Sequence, residues 1–140
     1  MNSKVSVYTG FQFEEDGFPA LAIINTDLKT LPNKTDFKYS IFIEIVPDLC
    51  NENGQPEEKE YEYLVEIENR MISYLESETR TVHVGHVTLN KRLEVIFYTK
   101  DCAIVEDYLE NYLPTINREA RFYAEEDKDW EFVSSFYENL

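Results

Sequence analysis

The order of apolar patterns along the chain constrains its fold more than any other sequence feature. Four segments have the alternating or β-branched composition that is typical of strands: residues 39–46, 81–89, 92–99 and 119–125. Two longer segments, residues 57–77 and 102–113, repeat apolar side chains at the spacing of an amphipathic helix. The predicted order is therefore strand, helix, strand, strand, helix, strand.

This order is the one found in the split βαβ unit, and it predicts a ferredoxin-like α+β sandwich. Two right-handed crossovers in such a chain place both helices on one face of an antiparallel sheet. Asn90 and Lys91 stand between the two central strands and predict a two-residue turn. Asp101 is expected to cap the second helix. The inner side of that helix is expected to hold Ile104, Tyr108 and Leu109, flanked by Val105 and Tyr112.

Additional elements are predicted on either side of this core. Residues 4–13 and 19–25 predict the two strands of an N-terminal hairpin, with the first strand broken near Gly10. Asp127 or Asp129 is expected to cap a helix at the C-terminus. The whole chain is expected to form one domain in three parts: a hairpin and loop in 1–38, the βαββαβ core in 39–125 and the C-terminal helix in 126–140.

Negative charge is the second strong feature of the sequence. The 140 residues hold 28 acidic and 13 basic side chains, which gives a formal net charge of −15. Residues 52–78 contain nine acids and two bases, and residues 101–140 contain eleven acids and three bases, whereas residues 79–100 contain one acid and four bases. A field of this sign repels phosphate and anionic lipid, so it argues against binding to nucleic acid or a membrane surface, most strongly at the helices.

The acidic helices are predicted to form a surface that binds a partner. Seven residues on them are the candidate contacts: Glu58, Glu62, Tyr63, Glu66, Glu106, Glu110 and Tyr112. Carboxylates complement a basic protein, and tyrosine supplies contact area with a polar tip. The expected function is a non-enzymatic regulatory module that binds a basic protein, and an exposed sheet edge favours a homodimer. The alternative is a solvated surface that keeps the protein in solution.

Catalytic and metal-binding patterns are scarce in the sequence. Glu68 is the acid on the apolar stripe of the first helix, and it is predicted to be a structural residue paired with Arg80 or Arg92. His83 and His86 stand three apart in a strand, which predicts half-exposed side chains on opposite faces that do not share a metal. No catalytic residue, metal ligand or cofactor is assigned from the sequence.

The two cysteines, Cys50 and Cys102, lie outside any CxxC or zinc-like spacing. No apolar run approaches the length of a membrane span, and the start of the chain lacks the layout of a secretion signal. These features predict a cytoplasmic protein in which both thiols are reduced.

Two other functions compete with the regulatory module. The first is an immunity protein or inhibitor of a basic nuclease, in which acidic side chains mimic phosphate. The second is a small hydrolase or ligand-binding domain, which would need Glu68, Tyr98 and the two histidines in one cleft. A deep pocket that joins these residues would favour the hydrolase, and a filled core would argue against it.

Six short segments occur in order along the chain: Asp16-Gly17-Phe18-Pro19, Asn53-Gly54-Gln55-Pro56, Ile67-Glu68, Val84-Gly85 with Thr88, Phe97-Tyr98-Thr99 and Asp129-Trp130-Glu131-Phe132. Together they resemble a bacterial domain-of-unknown-function family, family 695. That family carries no established activity, so the resemblance implies no catalytic residues. It is similar in architecture to the regulator of ribonuclease E activity B, an acidic ferredoxin-like protein that inhibits a nuclease by binding it. This similarity implies a protein-binding regulator.

Overall fold

A computed structural model of the chain describes residues 6–138 and Leu140. Within that range it contains six strands: β1 Tyr8–Glu15, β2 Phe18–Asn25, β3 Tyr39–Ile45, β4 Thr81–Leu89, β5 Arg92–Thr99 and β6 Ala120–Glu126. The described α-helices are α1 Glu58–Glu78, α2 Cys102–Tyr112 and α3 Ser134–Glu138. Short 3₁₀ turns occupy Thr26–Thr30, Lys34–Asp36, Leu113–Thr115 and Glu131–Val133. The predicted α+β class is confirmed, and none of the described helices is long and apolar enough to cross a membrane.

The six strands form one antiparallel sheet in the order β1-β2-β4-β5-β3-β6. The N-terminal hairpin belongs to this sheet because β2 pairs with β4, in a register that places Ala22 opposite Val87. Asn90 and Lys91 form the predicted turn between β4 and β5. Both have positive φ, at 46° and 62°, as a two-residue hairpin turn of the tight type requires.

The first strand is more regular than its sequence predicts. β1 pairs with β2 without interruption from Tyr8 to Glu15, so the predicted break near Gly10 is wrong. Gly10 stays in the ladder opposite Ile23, whose side chain lies across the space beside the glycine. The predicted strand start at Lys4 lies outside the described residues.

The first face of the sheet is covered by α1 and α2. Alternating residues of β3 and β5, such as Ile43 and Val95, form the floor of this core. On α2 the buried residues are Val105 and Leu109, one helical turn apart. These two set the inner side of the helix and turn Ile104 to solvent, where it is 54 % exposed, so its predicted inward position is wrong. On α1 the buried apolar positions follow the predicted periodicity: Leu64, Ile67, Met71 and Leu75.

The second face of the sheet is covered by the loop after β2 and by the C-terminal segment. Trp130 stacks on Tyr98 of β5 with ring centroids 4.1 Å apart. Val133 and Tyr137 of the same segment complete the cover together with Leu28 of the loop. The central strands β4 and β5 are therefore buried on both sides, and the two faces of the sheet belong to separate core clusters.

Two aspartates predicted as helix caps behave differently. The Asp127 carboxylate accepts hydrogen bonds from the backbone N–H groups of Glu131 and Phe132 at 2.9 and 3.1 Å, so it caps the turn that leads into α3. The Asp101 carboxylate makes no capping bond to α2. It accepts instead from backbone and guanidinium N–H groups of Arg80 at 2.6–3.1 Å, because the guanidinium offers it several donors at once.

An irregularity in β4 sets the direction of its side chains. The pairing with β5 slips between His83 and Gly85, so Val84 is an extra residue opposite a continuous β5. Gly85 has a φ of +149°, and a Cβ at this position would lie 2.0 Å from the carbonyl oxygen of Ile23 on β2. Only glycine permits this close approach of two backbones. The bulge therefore reverses the alternation of side chains for the rest of the strand.

Candidate functional site

A carboxylate and two imidazoles meet between α1 and β4. One carboxylate oxygen of Glu68 lies 2.7 Å from Nε2 of His83, and the other lies 2.6 Å from Nδ1 of His86. The three residues expose only 2 %, 3 % and 6 % of their surface, respectively. We call Glu68, His83 and His86 the carboxylate–histidine cluster.

The bulge in β4 brings this cluster together. The prediction that His83 and His86 lie on opposite faces is wrong, because the extra residue Val84 interrupts the alternation between them. Both imidazoles point to the first face, where α1 presents Glu68. They are buried rather than half-exposed. In a regular strand, residues three positions apart lie on opposite faces, so these two histidines share a face because of the bulge. Gly85 was the residue in the sequence that pointed to a bulge here.

The predicted partners of Glu68 lie elsewhere. Arg80 binds Asp101 at 2.6 Å, and Arg92 lies close enough to Glu94 to offset part of the increase that burial causes in the pKa of that carboxyl. The expectation that Glu68 must be paired holds, since a buried carboxylate needs donors. Its donors are instead the imidazole N–H groups of His83 and His86.

Two tyrosines extend the cluster toward the surface. The hydroxyl of Tyr8 lies 2.7 Å from Nδ1 of His83, and the hydroxyl of Tyr61 lies 2.9 Å from Nε2 of His86. A deprotonated Glu68 offers one acceptor oxygen to each imidazole. Each histidine then donates one N–H to Glu68 and accepts a tyrosine O–H with its other nitrogen. The five side chains form a continuous hydrogen-bonded chain in which every donor has an acceptor.

Hydrogen bonding keeps Glu68 charged despite its burial. Burial alone would raise the pKa of this carboxyl, but the hydrogen bonds from His83 and His86, and the attraction of these imidazoles when they are protonated, outweigh it and lower the pKa to about 2. Burial raises the pKa of Tyr8 and of Tyr61, and the negative charge of Glu68 adds to both increases. Both phenols therefore remain protonated at neutral pH and act as hydrogen-bond donors.

Tyr61 is the part of this chain that borders a surface groove. The groove has a volume of about 580 Å³ and is also lined by Gln55 and Thr88, whereas the carboxylate–histidine cluster does not line it. Tyr98 lies on the second face of the sheet, where its hydroxyl is 2.5 Å from Asp127. The cleft that a hydrolase would need, with Tyr98 beside the cluster, is therefore not formed.

The predicted contact acids lie on the outside of the two main helices. Glu58, Glu62, Glu66 and Glu110 are exposed, and Glu106 is half-buried. We call these five carboxylates the acidic helical surface. Glu66 is paired with Arg70 one turn away at 2.7 Å. The range of α2 contains three acids and no base.

The two tyrosines predicted as exposed contacts are half-buried. The hydroxyl of Tyr63 donates to a backbone carbonyl at 2.7 Å, and the guanidinium of Arg118 lies 4.6 Å from its ring centroid. Tyr112 stacks on Tyr108 at 5.3 Å, and Tyr108 stacks on Tyr74 at 4.1 Å. Positions beside the centre of a helical stripe face the neighbouring helix when two helices pack side by side. Tyr74, at 41 % exposure, is the ring of this stack that solvent reaches most.

A second buried carboxylate was missed by the sequence reasoning. Glu60 is 4 % exposed, and it accepts hydrogen bonds from the Arg118 guanidinium at 2.8 Å and from the backbone N–H of Asp48 at 2.7 Å. The hydrogen bond from Arg118 lowers the pKa of Glu60. Glu60 lies four positions before Leu64, so it continues the buried stripe, and that spacing was the signal that could have found it.

The described residues offer no metal centre and no activated thiol. No group of three or more histidine, cysteine, aspartate or glutamate side chains within the described ranges is arranged to hold a metal ion. Cys50 and Cys102 are free thiols. Burial raises the pKa of Cys102 to about 11, and the carboxylate of Glu106 adds to the increase, so this thiol is protonated at neutral pH.

Comparison with known families identifies the chain at the level of its family. A family described as "Family of unknown function (DUF695)" matches residues 10–137. The chain belongs to this family. The match spans the six resembling segments, the carboxylate–histidine cluster and the acidic helical surface, while Tyr8 precedes it. Membership of DUF695 assigns no activity to any of these residues. A search of curated proteins and a search of solved structures each found no match.

Proposed function

We propose that this member of DUF695 is a non-enzymatic module that binds a basic protein through the acidic helical surface. The observation that carries the proposal is the distribution of charge on α1 and α2. Five carboxylates lie on the outer side of two neighbouring helices, and of these only Glu66 has a basic ion-pair partner among the described residues. Such a surface attracts a basic partner and repels an acidic one.

The stacked tyrosines between the helices support the same proposal. Tyr74 of α1 stacks on Tyr108 of α2, which in turn stacks on Tyr112, so the three rings form a row that joins the two helices. Aromatic side chains that are already ordered lose little conformational freedom when a partner packs on them. Carboxylates provide the attraction in this arrangement, and the tyrosine row provides contact area.

The experiment is an affinity capture from cell lysate with two variants of equal charge. One variant replaces four acids of the acidic helical surface by glutamine: Glu58, Glu62, Glu106 and Glu110. The control replaces four exposed acids elsewhere by their amides: Glu14, Asp36, Glu119 and Glu126. A basic partner should be retained by the control, lost by the helical variant, and released by salt. Retention of that partner by the helical variant, or binding indifferent to salt, would contradict the proposal.

Inhibition of a basic nuclease is a narrower form of this proposal. A nuclease binds phosphate with a cationic surface, so clustered carboxylates would compete with its substrate. The distinguishing measurement is the activity of the captured partner toward RNA or DNA, which the unmodified chain should inhibit and the helical variant should not. A captured protein with no nuclease activity would contradict the proposed inhibition of a nuclease but not the proposed binding of a basic protein.

We also propose that the central strands and helices have the ferredoxin-like arrangement. The order β6-β3-β5-β4 with antiparallel pairing supports it, as does the packing of α1 and α2 residues into one core cluster. The hairpin β1-β2 would then be an extension at the β4 edge. An experimental structure in which either helical crossover is left-handed would contradict this assignment.

A second candidate function is recognition of a small ligand in the groove beside Tyr61. The observation that favours it is the ordered chain from Glu68 through His86 to Tyr61, which directs the phenol proton to His86 and leaves the phenol oxygen as an acceptor beside the groove. N-methylacetamide is a suitable neutral probe, because its N–H group can donate a hydrogen bond to the phenol oxygen of Tyr61. Its addition should shift the NMR signals of Gln55 and Thr88, and Tyr61→Phe should abolish those shifts. Identical shifts in the variant would remove this candidate.

A further inference from the structure

A pocket on the second face of the sheet has aromatic walls and acidic neighbours. It lies where the C-terminal segment stops covering the sheet, and it has a volume of about 180 Å³. Phe132 is 54 % exposed and meets Phe42 of β3 edge-on at 5.9 Å, and Tyr123 of β6 is 47 % exposed. Three carboxylates line the same space: Glu44, Glu94 and Glu125. We call these six residues the aromatic pocket.

Two of the carboxylates are placed against each other by the strand register. Glu44 of β3 stands directly opposite Glu94 of β5. Like charges in directly opposed positions destabilise a sheet. Glu94 forms no hydrogen bond or ion pair with another described residue. Burial raises the pKa of Glu94, nearby Arg92 offsets part of this increase, and the charge of Glu44 adds to it. A cation bound here would relieve the repulsion.

The chain's own Arg121 illustrates the ligand chemistry that the rim of the pocket accepts. Its guanidinium lies 2.7 Å from a carboxylate oxygen of Glu44 and 5.7 Å from the ring centroid of Tyr123. A carboxylate and an aromatic face thus contact one cation together. In the strand order β5-β3-β6, Glu44 lies between Arg121 and Glu94. Arg121 therefore forms an ion pair with Glu44 but not with Glu94, which lies on the far side of Glu44.

We propose that the aromatic pocket binds a lysine side chain from a basic segment of a partner protein. The apolar stem would pack on Phe42 and Phe132, and the ammonium group would lie beside Glu94. Lysine fits because it carries a compact charge at the end of an apolar stem. This site is on the opposite side of the sheet from the acidic helical surface, so the inference does not depend on the function proposed above.

The test is an NMR titration of the full chain with two short peptides. One is acetyl-Gly-Gly-Lys-Gly-Gly-amide, and the other replaces lysine by norleucine, which has the stem without the charge. The lysine peptide should shift the signals of Phe42, Tyr123 and Phe132, and the norleucine peptide should bind at least about fivefold more weakly. Equal binding of the two peptides, no binding of either, or shifts confined to α1 and α2 would overturn the proposal.

Three variants then locate the contact. Glu94→Gln and Tyr123→Ala should each weaken binding of the lysine peptide by about two- to fivefold. Glu126→Gln removes an exposed charge from the same strand as Tyr123 but outside the pocket, so it should bind like the unmodified chain. The amide spectrum of each variant reports whether it is folded. An equal loss in Glu126→Gln and Glu94→Gln would mean general attraction to an acidic protein and would overturn the site.

Discussion

At the scale of single residues, the carboxylate–histidine cluster is the most demanding part of the molecule. A buried carboxylate is costly unless its oxygens are hydrogen-bonded. Glu68 meets this condition with one imidazole on each oxygen, and each imidazole has a tyrosine on its other nitrogen. The cluster has the order of a proton-transfer chain, but it lies among core side chains of α1 and β4. We therefore interpret it first as a device that fixes α1 on β4.

Replacement of Glu68 by glutamine should destabilise the protein by about 2–4 kcal/mol. Glutamine offers one acceptor oxygen, so one histidine N–H would face an amide N–H₂ group. Chemical denaturation measures the loss. Glu66→Gln is the matched control on the same helix, because its exposed pair with Arg70 is worth only about 0.3–0.5 kcal/mol. Equal stability of the two variants would show that the cluster does not hold α1 in place.

The stabilising effect of Glu68 should depend on pH in the acid range. Its pKa is lowered from an ordinary value of 4.5 to about 2 in the folded protein. A carboxyl with a depressed pKa stabilises the fold fully above its unfolded value, and the effect is lost as pH falls to the folded value. The difference in unfolding free energy between the unmodified chain and Glu68→Gln should therefore shrink by a few kcal/mol between about pH 4.5 and pH 2. A constant difference over that interval would contradict the assignment.

The sequence was sufficient to mark Glu68 as buried and paired but not to find its partners. The apolar stripe of α1 shows that Glu68 faces the core, because the helical period stays constant along the whole helix. Partner identity depends on the direction of side chains in β4, and this changes at Val84. A bulge depends on how three strands fit together, so local residue patterns give only weak notice of it.

At the scale of elements, the bulge in β4 is where sheet and cluster depend on each other. The positive φ of Gly85 and the nearby carbonyl of Ile23 allow β2 and β4 to approach closely. The same irregularity turns His83 and His86 to one face. Pairing of the N-terminal hairpin with β4 and formation of the cluster are thus two results of one local conformation.

Gly85→Ala should destabilise the protein by at least about 3 kcal/mol, because it combines an unfavourable φ with a clash against β2. Gly17→Ala is the control, since Gly17 also has positive φ, at +82°, but has no atom within 4 Å of the added carbon. Its expected cost is about 1 kcal/mol. Thermal denaturation compares the two variants, and hydrogen exchange in β2 and β4 locates the damage. Similar costs for both variants would refute the close approach of the strands.

Most elements could be predicted because their signals are local. β4 and β5 have the predicted bounds, and α1 differs by one residue at each end. The errors at Ile104 and Asp101 have a common cause. Local patterns allow Ile104 to face inward and Asp101 to cap the helix, but tertiary contacts decide otherwise. Val105 and Leu109 are the α2 residues that become buried, and Arg80 binds the Asp101 carboxylate.

At the scale of the whole molecule, the two faces of the sheet carry different chemistry. The first face bears α1 and α2 with the acidic helical surface, and the second face bears the aromatic pocket. The segmental charge could be read from the sequence, but the pocket could not. It combines residues from β3, β5, β6 and the C-terminal segment, whose adjacency only the strand order provides.

The net charge of −15 should itself limit stability, and this makes a prediction for the whole molecule. Acidic groups repel one another more strongly in the folded chain than in the unfolded chain, because folding brings them closer. Sodium chloride at 0.2 M screens exposed charges separated by more than about 7 Å. The melting temperature should therefore rise between low salt and 0.2 M salt, by roughly 2–5 °C for about 1 kcal/mol.

The variant with four neutralised acids at Glu58, Glu62, Glu106 and Glu110 separates this screening from other effects of salt. It should melt at a higher temperature than the unmodified chain at low salt, and its rise with salt should be smaller. Differential scanning calorimetry at several salt concentrations gives both quantities. A melting temperature that falls with salt would mean that favourable ion pairs, such as Glu60 with Arg118, outweigh the repulsion. The same variant is the one used to test partner binding. It therefore measures both the loss of stability that the acidic helical surface causes and the contribution of that surface to the proposed binding.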